Sequence, residues 1–275
     1  MSTLRHTPGP VRIAYRREGA GPLVVFLHGI GGNSSNWLEQ LEAFGGRFCA
    51  VAWDARGYGA SDDPPGTLRF GDYADDLCRL LDHLAAEAAH LVGMSMGGMI
   101  IQDFYARYGD RVATLTLADT SVGLGAAAEE ARRDFLARRL GPLEGGLSPR
   151  ELAPHLLDVL MSPQAPSHMA ERLRASLAAL RPEPYKQALR AIVTTDFRAV
   201  LPNVRAPTLV VVGAEDRVTP PSLSETLAAT IPGAEKVIIE GAGHLSNMER
   251  PDAFNAAVGT FLDRHAVRAS TLGTG

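Results

Sequence analysis

Gly93-Met94-Ser95-Met96-Gly97 falls directly between an apolar run, His90-Leu91-Val92, and a helix-compatible stretch that begins Gly98-Met99-Ile100-Ile101. A strand-to-helix turn this sharp forces its central residue into a strained backbone conformation. It also leaves the positions two before and two after with no room for a side chain. Glycine at 93 and 97 meets that demand. The kink lifts the Ser95 hydroxyl clear of the strands, and it sets the Met96 amide at the head of a helix, aimed at any negative oxygen that forms beside the serine. Small-residue turns with a serine are common; the flanking strand and helix patterns make this one specific.

The 275 residues suffice for one large α/β core with an inserted subdomain. A formal net charge of −4 with 21% charged residues offers no electrostatic reason to expect nucleic acid. The two cysteines, Cys49 in a strand-like run and Cys78 in a helical one, lack metal-type spacing and read as buried, reduced thiols. The first ten residues carry no apolar leader, and runs such as Leu209-Val210-Val211-Val212 are far too short to span a bilayer. The expectation is a cytoplasmic protein without a membrane or nucleic-acid partner, monomer or homodimer.

Short apolar runs alternate with amphipathic stretches, the pattern of a mostly parallel sheet covered on both faces by helices. Residues 11–18 alternate like an edge strand, and 23–27, 48–53, 90–92, 114–118, 208–212 and 236–239 read as core strands. Helices are expected near 35–44, 70–86, 95–108, 222–231 and 252–265. The rhythm breaks once. From Thr120 to about Pro202 no convincing strand appears, and Gly141-Pro142, Ser162-Pro163, Pro166 and Pro182-Glu183-Pro184 divide the segment into four helix-length pieces. The polar tail 270–275 is expected to be disordered.

A serine hydroxyl needs a base to take its proton, and the base needs an acceptor behind it. Of eight histidines, His6, His83, His155, His168 and His265 fall on the terminus or on helical stretches, and His90 begins a strand. Only His28 and His244 stand at strand ends among glycines, the context that frees a side chain or a backbone amide for chemistry. His244 is the expected base and His28 a loop-shaping residue. Asp216, in the turn after strand 208–212, is the expected third member, with Asp119 and Glu215 as rivals; all the candidates sit at carboxyl ends of strands, where parallel sheets place their ligands. A second oxyanion donor is expected from the loop His28-Gly29-Ile30-Gly31-Gly32, through the Ile30 amide paired with that of Met96. Gly29, Trp37, Val218 and Leu245 are the expected substrate-side residues, and an imidazole base implies that activity falls toward acid as that ring protonates.

His28-Gly29, Asp54-Ala55-Arg56-Gly57-Tyr58-Gly59-Ala60-Ser61, Gly93 to Gly97, Gly213-Ala214-Glu215-Asp216 and Gly243-His244 together make the chain resemble the α/β-hydrolases over nearly its whole length. The resemblance implies a mostly parallel eight-stranded sheet flanked by helices, formed by residues 1–120 and 203–275, with a helical cap, 121–202, inserted after the sixth strand. The stretch Gly243-His244-Leu245-Ser246-Asn247-Met248-Glu249-Arg250-Pro251 and the overall layout are similar to 3-oxoadipate enol-lactonases, although many of those lack the His-Gly pair present here. A serine at the elbow, where dehalogenases and epoxide hydrolases of this fold carry aspartate, implies an acyl-enzyme route to a small carboxylic ester or lactone. Carbon–carbon bond hydrolysis, cofactor-free perhydrolase or haloperoxidase chemistry, and a non-catalytic ligand receptor are the alternatives. No flavin, nicotinamide or metal signature appears, so no cofactor is expected. A substrate carboxylate would call for one of Arg132, Arg133, Arg138, Arg139, Arg172, Arg174 or Arg181 to turn inward.

Overall fold

The computed structural model describes residues 3–125, 127 and 129–271. Eight strands form one sheet: β1 (Leu4–His6), β2 (Ala14–Glu18), β3 (Leu23–Leu27), β4 (Cys49–Trp53), β5 (Ala89–Met94), β6 (Val112–Ala118), β7 (Thr208–Gly213) and β8 (Glu235–Ile239). Their spatial order is β1-β2-β4-β3-β5-β6-β7-β8. The β1–β2 and β2–β4 pairs are antiparallel and all the others parallel. Every residue of β3 to β7 is buried, as strands with helices on both faces must be. The fold class expected from the sequence is the one observed.

Alternation along β3 divides the core in two, because successive side chains of a strand point to opposite faces. Val25 and Leu27 join a cluster with Leu77 and Leu80 of α2 (Gly71–His83) and Ile100 and Phe104 of α3 (Met96–Tyr108). Val24 and Phe26 join another with Leu41 and Phe44 of α1 (Leu38–Phe44) and Phe254, Val258 and Phe261 of α11 (Pro251–Thr271).

Between β6 and β7 the described residues hold helices and no strand: α4 (Glu129–Arg139), α5 (Gly141–Glu144), α6 (Pro149–Leu160), α7 (Ser167–Ala178) and α8 (Pro182–Ile192). Proline opens α5, α6 and α8, where its missing N–H costs nothing. Leu143, Leu152 and Tyr185 of this segment enter the first core, and Leu157, Leu173 and Leu177 enter the second, so the segment lies across the strand ends rather than on one face. Ion pairs fasten it there. Arg172 binds Glu39 through two hydrogen bonds of 2.6 and 2.8 Å, and Arg181 reaches Asp63 (2.6 Å) and the carbonyls of Gly59 and Ser61 (both 2.9 Å).

Several elements differ from expectation, and the segment expected in four helical pieces holds five helices among its described residues. The alternating run at 11–18 is a strand only from Ala14, and β1 is a separate, exposed three-residue strand paired with β2. A short α10 (Ser246–Glu249) follows the last strand. Helix α11 runs on to Thr271, past the start of the tail expected to be disordered; residues 272–275 lie outside the described residues. The remaining helix, α9 (Pro221–Thr230), lies between β7 and β8, and no helix among the described residues is long and apolar enough to cross a membrane.

Candidate active site

Parallel pairing brings the ends of five strands to one edge. Leu27 aligns with Gly93, Met94 with Ala118, Ala118 with Val211 and Gly213 with Ile239, so the loops that follow all open on the same side. Ser95 stands at the centre with φ 55° and ψ −118°, in the strained conformation the turn demands. A Cβ on Gly93 would lie 2.3 Å from the Gly97 carbonyl oxygen, and one on Gly97 would lie 2.1 Å from that of Leu27, so neither position admits a side chain. The strain is held in place by the Ser95 N–H, which donates to the Ala118 carbonyl (2.9 Å), and by the Thr120 hydroxyl, which donates to the Ser95 carbonyl (2.6 Å).

His244 comes to the serine from the loop after β8. Its Nε2 lies 3.0 Å from Ser95 Oγ and its Nδ1 2.9 Å from Asp216 Oδ2. The carboxylate can only accept, so Nδ1 carries the proton and Nε2 is free to accept the serine O–H. Asp216 receives three further donors: the amides of Val218 (2.8 Å) and Thr219 (2.9 Å) at Oδ1 and the Thr219 hydroxyl (2.7 Å) at Oδ2. Burial alone would raise the Asp216 pKa; the His244 and Thr219 donors outweigh it and hold the group below the usual carboxylate value. Asp216 is therefore the carboxylate that meets the imidazole, and neither Glu215 nor Asp119 takes that place.

His28 is fully buried and its ring is spent on backbone. Nε2 accepts from the Ala55 N–H at 3.0 Å, so Nδ1 is protonated and donates to the Gly29 carbonyl at 2.7 Å. Burial lowers its pKa and keeps the ring neutral. It shapes the loop, as read from the sequence. A Gly32 N–H to Gly29 carbonyl bond (3.0 Å) tightens the same turn, and Gly29 sits so close that a Cβ there would be 3.0 Å from Ser95 Cβ. Ile30 follows it, half-buried, while the Met96 amide heads α3, where the first N–H groups lack partners within the helix.

Trp37 is the expectation the structure corrects. It is fully enclosed, its ring 5.1 Å from that of Phe26 and 6.0 Å from that of Phe254, so it belongs to the core and offers no face to a ligand. Val218 is half-buried beside Asp216, and Leu245 is buried next to His244. The arginines between β6 and β7 are largely committed elsewhere. Beyond Arg172 and Arg181, Arg132 donates to the Gly125 carbonyl (2.7 Å), Arg133 faces Glu129 (3.6 Å), and Arg139 lies over the Phe135 ring; Arg138 and Arg174 are exposed.

Sequence reasoning missed two supports of this site. Thr219 is one of them, since a threonine in a turn carries no signal of its own. Glu249 is the other: it is buried, and it accepts the amides of Gly243 (3.1 Å) and Ser162 (2.8 Å), joining the His244 loop to the segment after α6.

A family model described as the alpha/beta hydrolase fold matches residues 22–251, and the chain belongs to that family. The 3-oxoadipate enol-lactonase 2 of Acinetobacter baylyi is 31% identical over 88% of this chain and 89% of its own length. Among solved structures, a hydrolase from Pseudomonas aeruginosa matches with a TM-score of 0.84 and 34% identity over 94% of this chain and 98% of that one. A thermophilic esterase from Thermogutta terrifontis, solved with malate bound, matches with a TM-score of 0.84 and 30% identity over 96% of this chain and 99% of that one.

Proposed function

We propose that the protein is a serine hydrolase acting on a small carboxylic ester or lactone through an acyl-enzyme. The observation that carries this reading is the unbroken run Ser95 Oγ, His244 Nε2, His244 Nδ1, Asp216 Oδ2, with contacts of 3.0 and 2.9 Å at a strained elbow. Similarity to an enol-lactonase and to an esterase supports the substrate class.

In this mechanism His244 Nε2 takes the hydroxyl proton as Ser95 Oγ bonds to the substrate carbonyl carbon. The carbonyl oxygen becomes an oxyanion held by the Ile30 and Met96 amides. Asp216 stays ionised and stabilises the imidazolium. Collapse of the tetrahedral intermediate breaks the bond to the leaving oxygen, which departs with the proton from His244; for a lactone the leaving alcohol remains attached to the acyl chain. Water, deprotonated by the same imidazole, then attacks the acyl-enzyme and releases the acid. Helices α4 to α8 act as a cap over the site, and Gly29, Val218 and Leu245 border the substrate.

A panel of p-nitrophenyl esters, lactones and ring-cleavage dienoates tests this. The expected result is ester or lactone turnover that Ser95→Ala lowers by about 10⁴-fold or more without unfolding the chain. Rapid dienoate cleavage without ester or lactone hydrolysis would favour carbon–carbon bond cleavage instead, and full activity in Ser95→Ala would dismiss the assigned nucleophile.

A further inference from the structure

Asp119 follows β6 directly and is fully buried, yet it takes no part in the chemistry above. Its backbone has φ 45°, the left-handed region that a non-glycine residue occupies at a cost of order 1 kcal/mol or more. Something in the surroundings must hold it there. The carboxyl is bound on both sides: the Gly213 N–H donates to Oδ1 at 2.9 Å, and Ser246 lies against Oδ2, its Oγ at 2.5 Å and its N at 3.4 Å.

The partners' positions give this arrangement its meaning. Gly213 ends β7, and its carbonyl accepts the Asp216 N–H (3.1 Å), so the turn bearing Asp216 is built on it. Ser246 lies two residues beyond His244 and opens α10. We propose, on the reading that Ser95, His244 and Asp216 form the hydrolytic site, that Asp119 is a positioning residue whose carboxyl ties the Asp216 turn to the His244 loop and so sets the distance between carboxylate and imidazole.

The electrostatics agree with that role. Burial first, and then the charge of Asp216, push the Asp119 pKa well above ordinary carboxylate values, whereas Asp216 is held below them. Two buried carboxyls side by side cannot both ionise cheaply, and here their surroundings separate them. Asp216 keeps the charge that faces His244. The Ser246 hydroxyl donates to Oδ2 and the Gly213 N–H to Oδ1, so each oxygen of Asp119 is bound to a different segment.

An asparagine can keep both links, its Oδ1 accepting from Gly213 and its Nδ2 donating to the Ser246 hydroxyl, which turns to accept; an alanine can keep neither. The experiment compares Asp119→Ala, Asp119→Asn, Ser246→Ala and Asp216→Asn, measuring kcat and KM on a p-nitrophenyl ester and the rate at which a fluorophosphonate labels Ser95. The expected result is a kcat about 10²-fold lower in Asp119→Ala with KM within about twofold, recovery to within about threefold in Asp119→Asn, a smaller loss in Ser246→Ala, and near-complete loss in Asp216→Asn. Should Asp119→Ala not fold, the rescue in Asp119→Asn and the kcat loss in Ser246→Ala carry the test. A folded Asp119→Ala with parental kcat and labelling rate overturns the inference. So does an Asp119→Asn enzyme that is inactive while Asp216→Asn remains active, which would make Asp119 the partner of His244. Failure of the parent enzyme to be labelled at Ser95 would instead overturn the hydrolase reading, and this inference with it.

Discussion

Replacing Thr219 with valine removes one hydroxyl and keeps the shape of the side chain. That hydroxyl donates to Asp216 Oδ2 at 2.7 Å, one of four donors that hold the buried carboxylate. A hydrogen bond to a charged group contributes about 1.5–3 kcal/mol, so its loss raises the Asp216 pKa in the variant. Because the folded Asp216 pKa lies below its ordinary value, its ionisation contributes stability that is present above a pH of about 3.9 and is lost as the pH falls through the folded value. Thr219→Val should therefore be about 1.5–3 kcal/mol less stable at pH 7, and the gap should narrow as the pH drops below about 4. Thr219 Oγ1 also lies 3.2 Å from His244 Nδ1, so the imidazole loses a lateral restraint and kcat/KM should fall about tenfold. Urea denaturation at several pH values, together with ester hydrolysis at pH 8, measures both. Equal stability at pH 7 with unchanged kcat/KM would refute the view that Thr219 holds the charge on Asp216.

Gly97→Ala places a methyl group 2.1 Å from the Leu27 carbonyl oxygen, so thermal denaturation should show a loss of about 3 kcal/mol or more, and kcat should drop with it as the loop bearing Ile30 shifts. Arg56 and Asp76 form a buried pair with contacts of 2.5 and 2.7 Å; Asp76→Ala leaves the guanidinium with the more distant Asp72 carboxylate at 3.7 Å and should cost about 3 kcal/mol in chemical denaturation, with KM preserved in whatever fraction stays folded. Arg181→Ala should cost about 1–2 kcal/mol in chemical denaturation. Since that arginine is already committed to Asp63 and two carbonyls, the activity ratio between anionic and neutral esters should not change; a selective loss on the anionic ester would place the arginine in the substrate site instead.

The parts of this fold legible in the sequence are those where one physical demand leaves little choice of residue. The five buried strands had to be mostly apolar, and the elbow had to be glycine-flanked because backbone atoms occupy the space of any side chain at 93 and 97. His244 and His28 stood out from six other histidines because both stand at strand ends beside glycines. Strand β1 left no such trace, being exposed and paired along one side with β2. Trp37 misled for a related reason: nothing local tells an indole facing a cavity from one enclosed by Phe26 and Phe254, which are distant in sequence. Glu249 and Asp119 act through partners supplied by other loops, so their roles emerge only once the sheet brings those loops together, and Thr219 serves Asp216 within one turn through a hydroxyl that carries no signal in the sequence.

The most direct test of the central claim is a crystal structure of the protein after reaction with an alkyl phosphonate ester. The expected structure has phosphorus bonded to Ser95 Oγ, the phosphoryl oxygen within hydrogen-bonding distance of the Ile30 and Met96 amides, and His244 Nε2 facing the adduct. Phosphorus on another residue, or on Ser95 with that oxygen turned away from both amides, would contradict it.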